Sequence, residues 1–252
     1  MNNPPYKCIF CNNEKPNDFT SVEHIIPESM GNSIYFLEKG WVCRNCNNIF
    51  SSFEDIVQNK TILGVQRCID GVVSKKGKPT KSKLHAIDFT ANPGKLGTAV
   101  LVIKDKSTPI TIKDNTFEME FPVCDENANA ISRFLLKIGL EIELVYRFSI
   151  KKEKVDIQSA INFVLGNSNS KWHYYYILVT NDNFNERIKS IFINNKNYNR
   201  QMMRIDFFFY KHKEEDVFFL KYCSFLLAIS LTQSDGDLEN LLTEMKVQYK
   251  KC

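Results

Sequence analysis

The fold of this chain is decided by residues 8–47, which read CIFCNNEKPNDFTSVEHIIPESMGNSIYFLEKGWVCRNCN. The stretch begins and ends with a Cys-x-x-Cys pair, first Cys8/Cys11 and then Cys43/Cys46. Two such turns supply the four thiolates that a tetrahedral structural zinc ion requires. Because the intervening residues exceed the spacing of the commonest zinc fingers, we expect them to form a structured insert of their own.

The pattern around the four cysteines predicts two strands and a helix clamped by zinc. Residues 19–26 are rich in β-branched and apolar side chains, which favours a strand that Pro27 would end. Trp41 and Val42 favour a second strand that leads back to the second cysteine pair. From Asn47 to about residue 58, apolar side chains recur at helical spacing, which predicts a helix directly after the last cysteine.

Composition and charge place few limits on function. The 252 residues are 43% hydrophobic and 25% charged, as in an ordinary globular protein, and a net charge of +4 permits nucleic-acid binding without requiring it. No signal peptide precedes Cys8, and the apolar run 217–231 is too short to cross a bilayer, so we expect a cytoplasmic protein. In that reducing compartment the scattered cysteines should be free thiols, namely Cys68, Cys124, Cys223 and Cys252.

The rest of the chain predicts a larger α+β domain. We divide the sequence into a zinc module at 1–58, a helix and lysine-rich linker at 59–84, and an α+β domain of unknown role at 85–252. In that domain we expect helices at about 125–146, 155–165 and 237–247, and strands at 85–90, 98–104, 109–112, 117–123, 173–180, 187–193, 203–210 and 217–231. These strands suggest antiparallel sheets, joined in one place by a polar turn at 211–216.

The lysine-rich segment 75–83 has two interpretations. It contains five lysines and no large apolar side chain, which is typical of a solvated loop. Alternatively, Lys75, Lys76 and Lys78 form an arm that contacts the phosphates of a nucleic acid.

Chemistry is concentrated at Glu23, His24 and Asn47. A neutral imidazole can accept a proton from water near pH 7, and carboxylate and amide oxygens are ligands that suit Mg²⁺ or Mn²⁺. Such a set suits phosphodiester hydrolysis. Because neighbouring residues in a regular strand point to opposite faces, a bend or bulge is needed to bring Glu23 and His24 to one site.

These residues resemble the HNH endonucleases, whose fold is called ββα-metal. The similarity rests on the first Cys-x-x-Cys, on the segment EHIIPESMGN at 23–32 and on CRNCN at 43–47, and it covers about the first 58 residues. It is close to the zinc-stapled, treble-clef variety that includes phage endonuclease VII. The resemblance implies that Glu23 and Asn47 bind a catalytic Mg²⁺ or Mn²⁺ ion, that His24 activates water, and that DNA is the favoured substrate. Arg44, inside the second cysteine pair, is a candidate phosphate contact.

The chain also departs from the family pattern. Members more often have Asp at the position of Glu23, and the helix after Asn47 contains no histidine. Either Asn32 or Asn48 could be the middle asparagine of the HNH name.

Two hypotheses about role follow. In the first, the protein is a metal-dependent endonuclease, and region 85–252 gates it through a partner or small-molecule signal, as in a restriction or anti-phage effector. The alternative is a treble-clef module that binds nucleic acid through its zinc fold without cleaving it.

Overall fold

The computed structural model describes residues 4–74, 76–93, 95, 97–105, 110–113, 116–119, 124, 127–150, 156–178, 205–212, 215–232 and 235–252. It confirms a mixed α+β fold with antiparallel sheets and an N-terminal module that contains the four cysteines. None of the helices in these residues is long and apolar enough to span a membrane.

The N-terminal module has very short strands. Strand β1 (Glu23–His24) pairs antiparallel with β2 (Phe36–Leu37), and helix α1 (Arg44–Lys60) follows. The predicted strand over residues 19–26 was therefore too long, and the predicted second strand at 41–42 was wrong. Trp41 and Val42 are buried just before α1, where the Trp41 carbonyl accepts a hydrogen bond from the Ile9 amide at 3.0 Å. Trp41 and Val42 are apolar because they are buried near the cysteine turns, and they do not form a strand.

Helix α2 (Ile62–Ile69) packs on a three-stranded sheet. Its strands lie in the order β3 (Lys81–Leu84), β4 (Ile87–Ala91) and β5 (Ala99–Ile103). The end of the lysine-rich segment is thus a strand, in which Ser82 and Leu84 are buried and the alternating Lys81 and Lys83 are exposed. Strands β3 and β4 form a hairpin, and the predicted boundary at residue 84 falls inside it. The domain boundaries at 58 and 84 remain predictions.

A second hairpin and two helices follow. Strands β6 (Ile110–Lys113) and β7 (Thr116–Met119) pair with each other, and then come α3 (Ala128–Ile150) and α4 (Gln158–Val164). The long helix expected at about 125–146 is confirmed as α3.

The C-terminal half contains a five-stranded antiparallel sheet in the order β12-β8-β11-β10-β9. The strands are β8 (Tyr175–Leu178), β9 (Ile205–His212), β10 (Glu215–Tyr222), β11 (Phe225–Ser230) and β12 (Gln248–Lys251), and helix α5 (Asp235–Glu244) precedes β12. The apolar run predicted as one strand is the β10–β11 hairpin, with a turn at Cys223-Ser224. Strand β12 was not predicted, and the strand expected at 187–193 lies outside the described residues.

Helix α3 lies between the module and this sheet. One continuous apolar core joins the cysteine module, α3 and one face of the sheet, where Phe218 and Ile229 are fully buried. Helix α5 covers the other face with Leu238, Leu241 and Leu242. Because α3 packs on α1 and on β10 and β11, it is positioned to bring side chains from outside the module to its interior.

Two of the cysteines expected to be free thiols are joined. A disulfide links Cys124 to Cys252, with Cα atoms 5.0 Å apart and a sequence separation of 128 residues. The prediction was wrong for this pair because β12, which pairs with β8, carries the C-terminal end of the chain to Cys124. Cys68 and Cys223 are thiols outside any disulfide, as expected.

Candidate active site

The four predicted zinc ligands form one cluster. The Sγ atoms of Cys8 and Cys46 are 3.7 Å apart, those of Cys11 and Cys43 are 3.6 Å apart, and all four lie within 4.8 Å of one another. A tetrahedron with Zn–S bonds of about 2.3 Å has edges of about 3.8 Å, so this arrangement fits a zinc ion closely.

The local backbone explains why the sulfurs meet. Asn12 adopts a positive φ of 58° and donates its amide to the Cys8 carbonyl at 2.9 Å, which closes the first cysteine turn. Cys43 precedes α1 as its N-cap residue, and Cys46 lies in the first helical turn.

Electrostatics in the cluster favour a bound cation. The contact with Cys46 lowers the pKa of Cys8 to about 5 and raises that of Cys46, while burial raises the pKa of Cys11 to about 11. Neighbouring sulfurs therefore compete for protons, because several thiolates this close repel one another. A divalent metal ion removes the conflict by binding all four as thiolates.

The same module contains a cleft of about 340 Å³. The three predicted site residues, Glu23, His24 and Asn47, all line it. Its other lining residues come from the same module and are mostly polar: Ser21, Val22, Pro27, Glu28, Ser29, Glu54 and Gln58. The fold thus brings together side chains from β1, from the turn after Pro27 and from α1.

His24 is half-buried at the cleft. Its side chain is 33% exposed, and its Nε2 lies 3.8 Å from Glu28 Oε2 in the 3-10 turn Glu28–Met30. Because Pro27 turns the chain directly after a two-residue strand, Glu28 comes back beside His24. A carboxylate at this position can stabilise the positive charge that an imidazole gains when it accepts a proton as a general base.

The carboxylate of Glu23 is almost completely buried. The residue is 4% exposed, and its Oε1 lies 2.6 Å from Lys137 Nζ on α3. Burial raises the pKa of Glu23, and the charge of Lys137 acts in the opposite direction. Glu23 thus faces both the cleft and a buried ammonium group.

Lys137 is fully buried and contacts five oxygen atoms. Besides Glu23, its Nζ lies 3.1 Å from Glu54 Oε1 and 3.1 Å from Glu141 Oε2, and it donates to the carbonyls of His24 at 2.7 Å and Ile25 at 3.0 Å. Burial alone would lower the pKa of Lys137, but the charges of Glu141, Glu23 and Glu54 outweigh it and raise the pKa. Lys137 is therefore a cation that lies among three carboxyl groups.

Sequence reasoning missed Lys137, Glu54 and Glu141. The signal that could have found two of them is a charged i,i+4 pair, Lys137 and Glu141, within the apolar stripe of α3. Charged side chains are almost never fully buried unless they are paired, so such a pair predicts a buried polar cluster.

Asn47 and Arg44 lie in the first turns of α1. Asn47 is half-buried, its Nδ2 is 3.4 Å from Ser21 Oγ, and it lies inside the helix and not at the N-cap. Arg44 is exposed, and its Nε and Nη2 donate to Thr20 Oγ1 at 3.2 and 3.1 Å. Of the predicted phosphate-contacting lysines, Lys76 and Lys78 are exposed beyond α2, and Lys75 lies outside the described residues.

The two candidates for the middle asparagine differ sharply. Asn32 is 3% exposed; its amide donates to the carbonyls of Ile26 and Tyr35, and its Oδ1 accepts the amides of Ile34 and Tyr35 at 3.0 and 2.8 Å. Asn48 is exposed on α1. Asn32 therefore fixes the loop between β1 and β2, which keeps β1 and the residues of the cleft in place.

Comparison with known proteins agrees with this geometry. Residues 8–59 match the family model described as HNH endonuclease. No curated protein and no solved structure matches the chain. The narrower likeness to phage endonuclease VII remains a prediction. The segment that carries the four cysteines and the three cleft residues, residues 8–59, belongs to the HNH endonuclease superfamily.

Proposed function

We propose that this protein is a metal-dependent endonuclease that hydrolyses phosphodiester bonds in DNA. The observation that carries the proposal is that Glu23, His24 and Asn47 line one cleft within the segment that matches the HNH endonucleases. Cys8, Cys11, Cys43 and Cys46 would hold a structural zinc ion, because four sulfur ligands close its coordination and leave no position for a substrate.

The donors in the cleft fit a catalytic Mg²⁺ or Mn²⁺ ion. Glu23 and Asn47 would hold it through a carboxylate and an amide oxygen, which are the ligand types that these ions prefer. Glu28 and Glu54 also line the cleft, and carboxylate oxygens are ligands that a divalent cation prefers. When bound, such an ion neutralises the charge that develops on the scissile phosphate.

The chain's own residues would perform the proton transfer and the positioning of the substrate. His24 would accept a proton from the attacking water, and Glu28 would stabilise the resulting imidazolium. Arg44, with exposed Lys76 and Lys78, would contact the DNA backbone, where a cationic side chain neutralises phosphate charge.

Cleavage of supercoiled plasmid in Mg²⁺ or Mn²⁺ tests the proposal. We expect the wild-type protein to nick or linearise the plasmid, and His24→Ala to lose at least about 100-fold in rate while keeping zinc and DNA binding. His85→Ala is the matched control, since His85 is exposed outside the cleft, and it should cleave like wild type. A zinc-loaded wild type that binds DNA but cleaves nothing would instead support a non-catalytic treble-clef binding module.

We further propose that the biological role is that of a gated effector, such as a restriction or anti-phage nuclease. Support comes from helix α3, which packs against both the module and the large sheet. A partner or small molecule that binds the sheet can therefore act on the site through α3. Cleavage measured with and without cell extract tests this idea. Unrestricted cleavage by the purified protein alone would contradict gating.

A further inference from the structure

We propose that Lys137 is a positioning residue of this nuclease site, and that α3 sets the site's geometry through it. The inference rests on the proposed function and deepens it. It concerns a residue that lies outside the segment 8–59 matched by the family model, at a sequence distance of 113 residues from His24.

A single ammonium group holds three consecutive residues of the site. Lys137 Nζ contacts the Glu23 carboxylate at 2.6 Å and the carbonyl oxygens of His24 and Ile25 at 2.7 and 3.0 Å. The two carbonyls belong to the peptide units on either side of Ile25, so these contacts fix the backbone directly after His24. The same group therefore orients both the carboxylate and the imidazole.

The number of contacts exceeds what a simple ion pair requires. An ammonium group has three N–H donors, and here five oxygen atoms within 3.1 Å share them. One carboxylate would satisfy a charge pair. Contacts to two main-chain carbonyls instead tie the cation to the path of β1, which is only two residues long and has little ladder pairing of its own.

The position of Lys137 is in turn fixed by the sheet. Two residues along α3, a methyl group added at Gly139 would lie 2.9 Å from Phe218 Cγ and 3.1 Å from Leu231 Cδ2. Helix α3 is therefore seated closely on β10, and on its other side it packs against α1. A shift of α3 would move Nζ, and with it the Glu23 carboxylate and the backbone of His24.

Two readouts test the proposal on the full-length chain. We expect Lys137→Met to keep one zinc ion per chain. Its KM for DNA should lie within about two-fold of the wild-type value. Its kcat should fall about 100-fold, since a displacement of about 1 Å in a catalytic group has effects of this size. Lys251→Met is the matched control, because Lys251 is a partly exposed ion-paired lysine on the sheet, and its kcat should not change.

The second readout does not need cleavage. The chain has four histidines, so the imidazole NMR signal of His24 can be assigned by its loss in His24→Ala. Lys137→Met should move the His24 signal and leave those of His85, His173 and His212 unchanged. If wild type never cleaves DNA, the proposed function fails, and this signal still decides whether Lys137 positions His24.

Lys137→Arg covers the case in which the methionine variant loses its zinc and its fold. Arginine keeps the charge, but its planar fork cannot reproduce the contacts of an ammonium, so we expect a folded protein with a moved His24 signal and a kcat about 10-fold lower. An unmoved His24 signal in a folded Lys137 variant would overturn the proposal. So would a rise in kcat, because it would mean that Lys137 competes with the catalytic ion.

Discussion

Different interactions stabilise the cysteine module and the five-stranded sheet. In the module, β1 and β2 have two residues each, and the four sulfurs of one cluster join the ends of the chain segment. In the sheet, β9 and β10 pair over eight residues each, and fully buried aromatic side chains such as Phe218 and Phe219 fill both faces. A region with few ladder hydrogen bonds needs a metal, whereas long apolar strands are stabilised by burial alone.

The difference also explains where the polar chemistry lies. A short strand and turns leave the module free to direct Glu23, His24 and Asn47 into one cleft, which a regular sheet with alternating faces would not do. Helix α3 packs against both regions, so experiments on each region can test whether the two are stabilised independently.

Zinc removal should have the largest effect and should separate the two regions. Cys46→Ser would lose zinc and cleavage, since zinc binding contributes about 10–16 kcal/mol to the folding of small zinc domains. The chain's two tryptophans report each region separately: Trp41 lies in the module, and Trp172 packs with the α3 core. We expect the fluorescence of Trp41 to shift to the red and that of Trp172 to stay unchanged, measured in single-tryptophan variants.

Cys223→Ser is the control for this experiment, because Cys223 is a half-buried thiol outside the cluster, and it should keep both zinc and fluorescence. If Trp41 and Trp172 shifted together, the two regions would unfold as one unit and the contrast would be broken.

A cavity in the sheet should have the next largest effect. Phe218 is fully buried against α3, and its ring lies 5.3 Å from that of Phe209 between centroids. We expect Phe218→Ala to lower the free energy of unfolding by about 3–5 kcal/mol, because it removes packing and leaves a void. Urea unfolding followed by Trp172 fluorescence measures the change. Tyr210→Ala on β9, where the residue is 42% exposed, should cost less than about 1 kcal/mol.

Asn32 should be the most sensitive polar position in the loop between β1 and β2. Asn32→Ala removes four hydrogen bonds to the main chain and leaves the amides of Ile34 and Tyr35 without this acceptor. We expect a loss of about 2–3 kcal/mol in unfolding free energy. Exposed Asn48→Ala should change stability by less than about 0.5 kcal/mol. Equal effects would argue against a stabilising role of Asn32 in the loop.

The smallest predicted effect is a change in the pH dependence of stability. Burial raises the pKa of Glu141 well above its ordinary value, so the folded protein holds a proton that the unfolded chain releases. Stability should therefore fall as pH rises from about 4.5 toward the folded-state pKa. Glu141→Gln removes this titration, and we expect its melting temperature to exceed that of wild type at pH 8 by about 2–4 °C, with a smaller difference at pH 5.

Melting curves at several pH values measure this effect, and Glu143→Gln on the same helix is the control. A variant with the same slope against pH as wild type would show that Glu141 does not account for the pH dependence.

Local patterns predicted well those features that depend on neighbours in the chain. The four cysteines were found from their spacing, and α1 and α3 from apolar periodicity, because both signals lie within a few turns of chain. The errors came where apolar content has several meanings. Trp41 and Val42 are buried without being in a strand, and the apolar run 217–231 is divided by a turn at 223–224.

The sequence by itself was enough to identify the module. The cysteine pairs, the Glu23-His24 step and Asn47 lie close to one another along the chain, so their spacing alone indicates that they belong to one small module. Only the tertiary structure decided what surrounds Glu23. Lys137 reaches it from a helix more than a hundred residues away, because the packing of α3 between α1 and the sheet places a charged side chain beside three carboxyl groups. The disulfide between Cys124 and Cys252 has the same origin, since strand pairing at the end of the chain sets that contact.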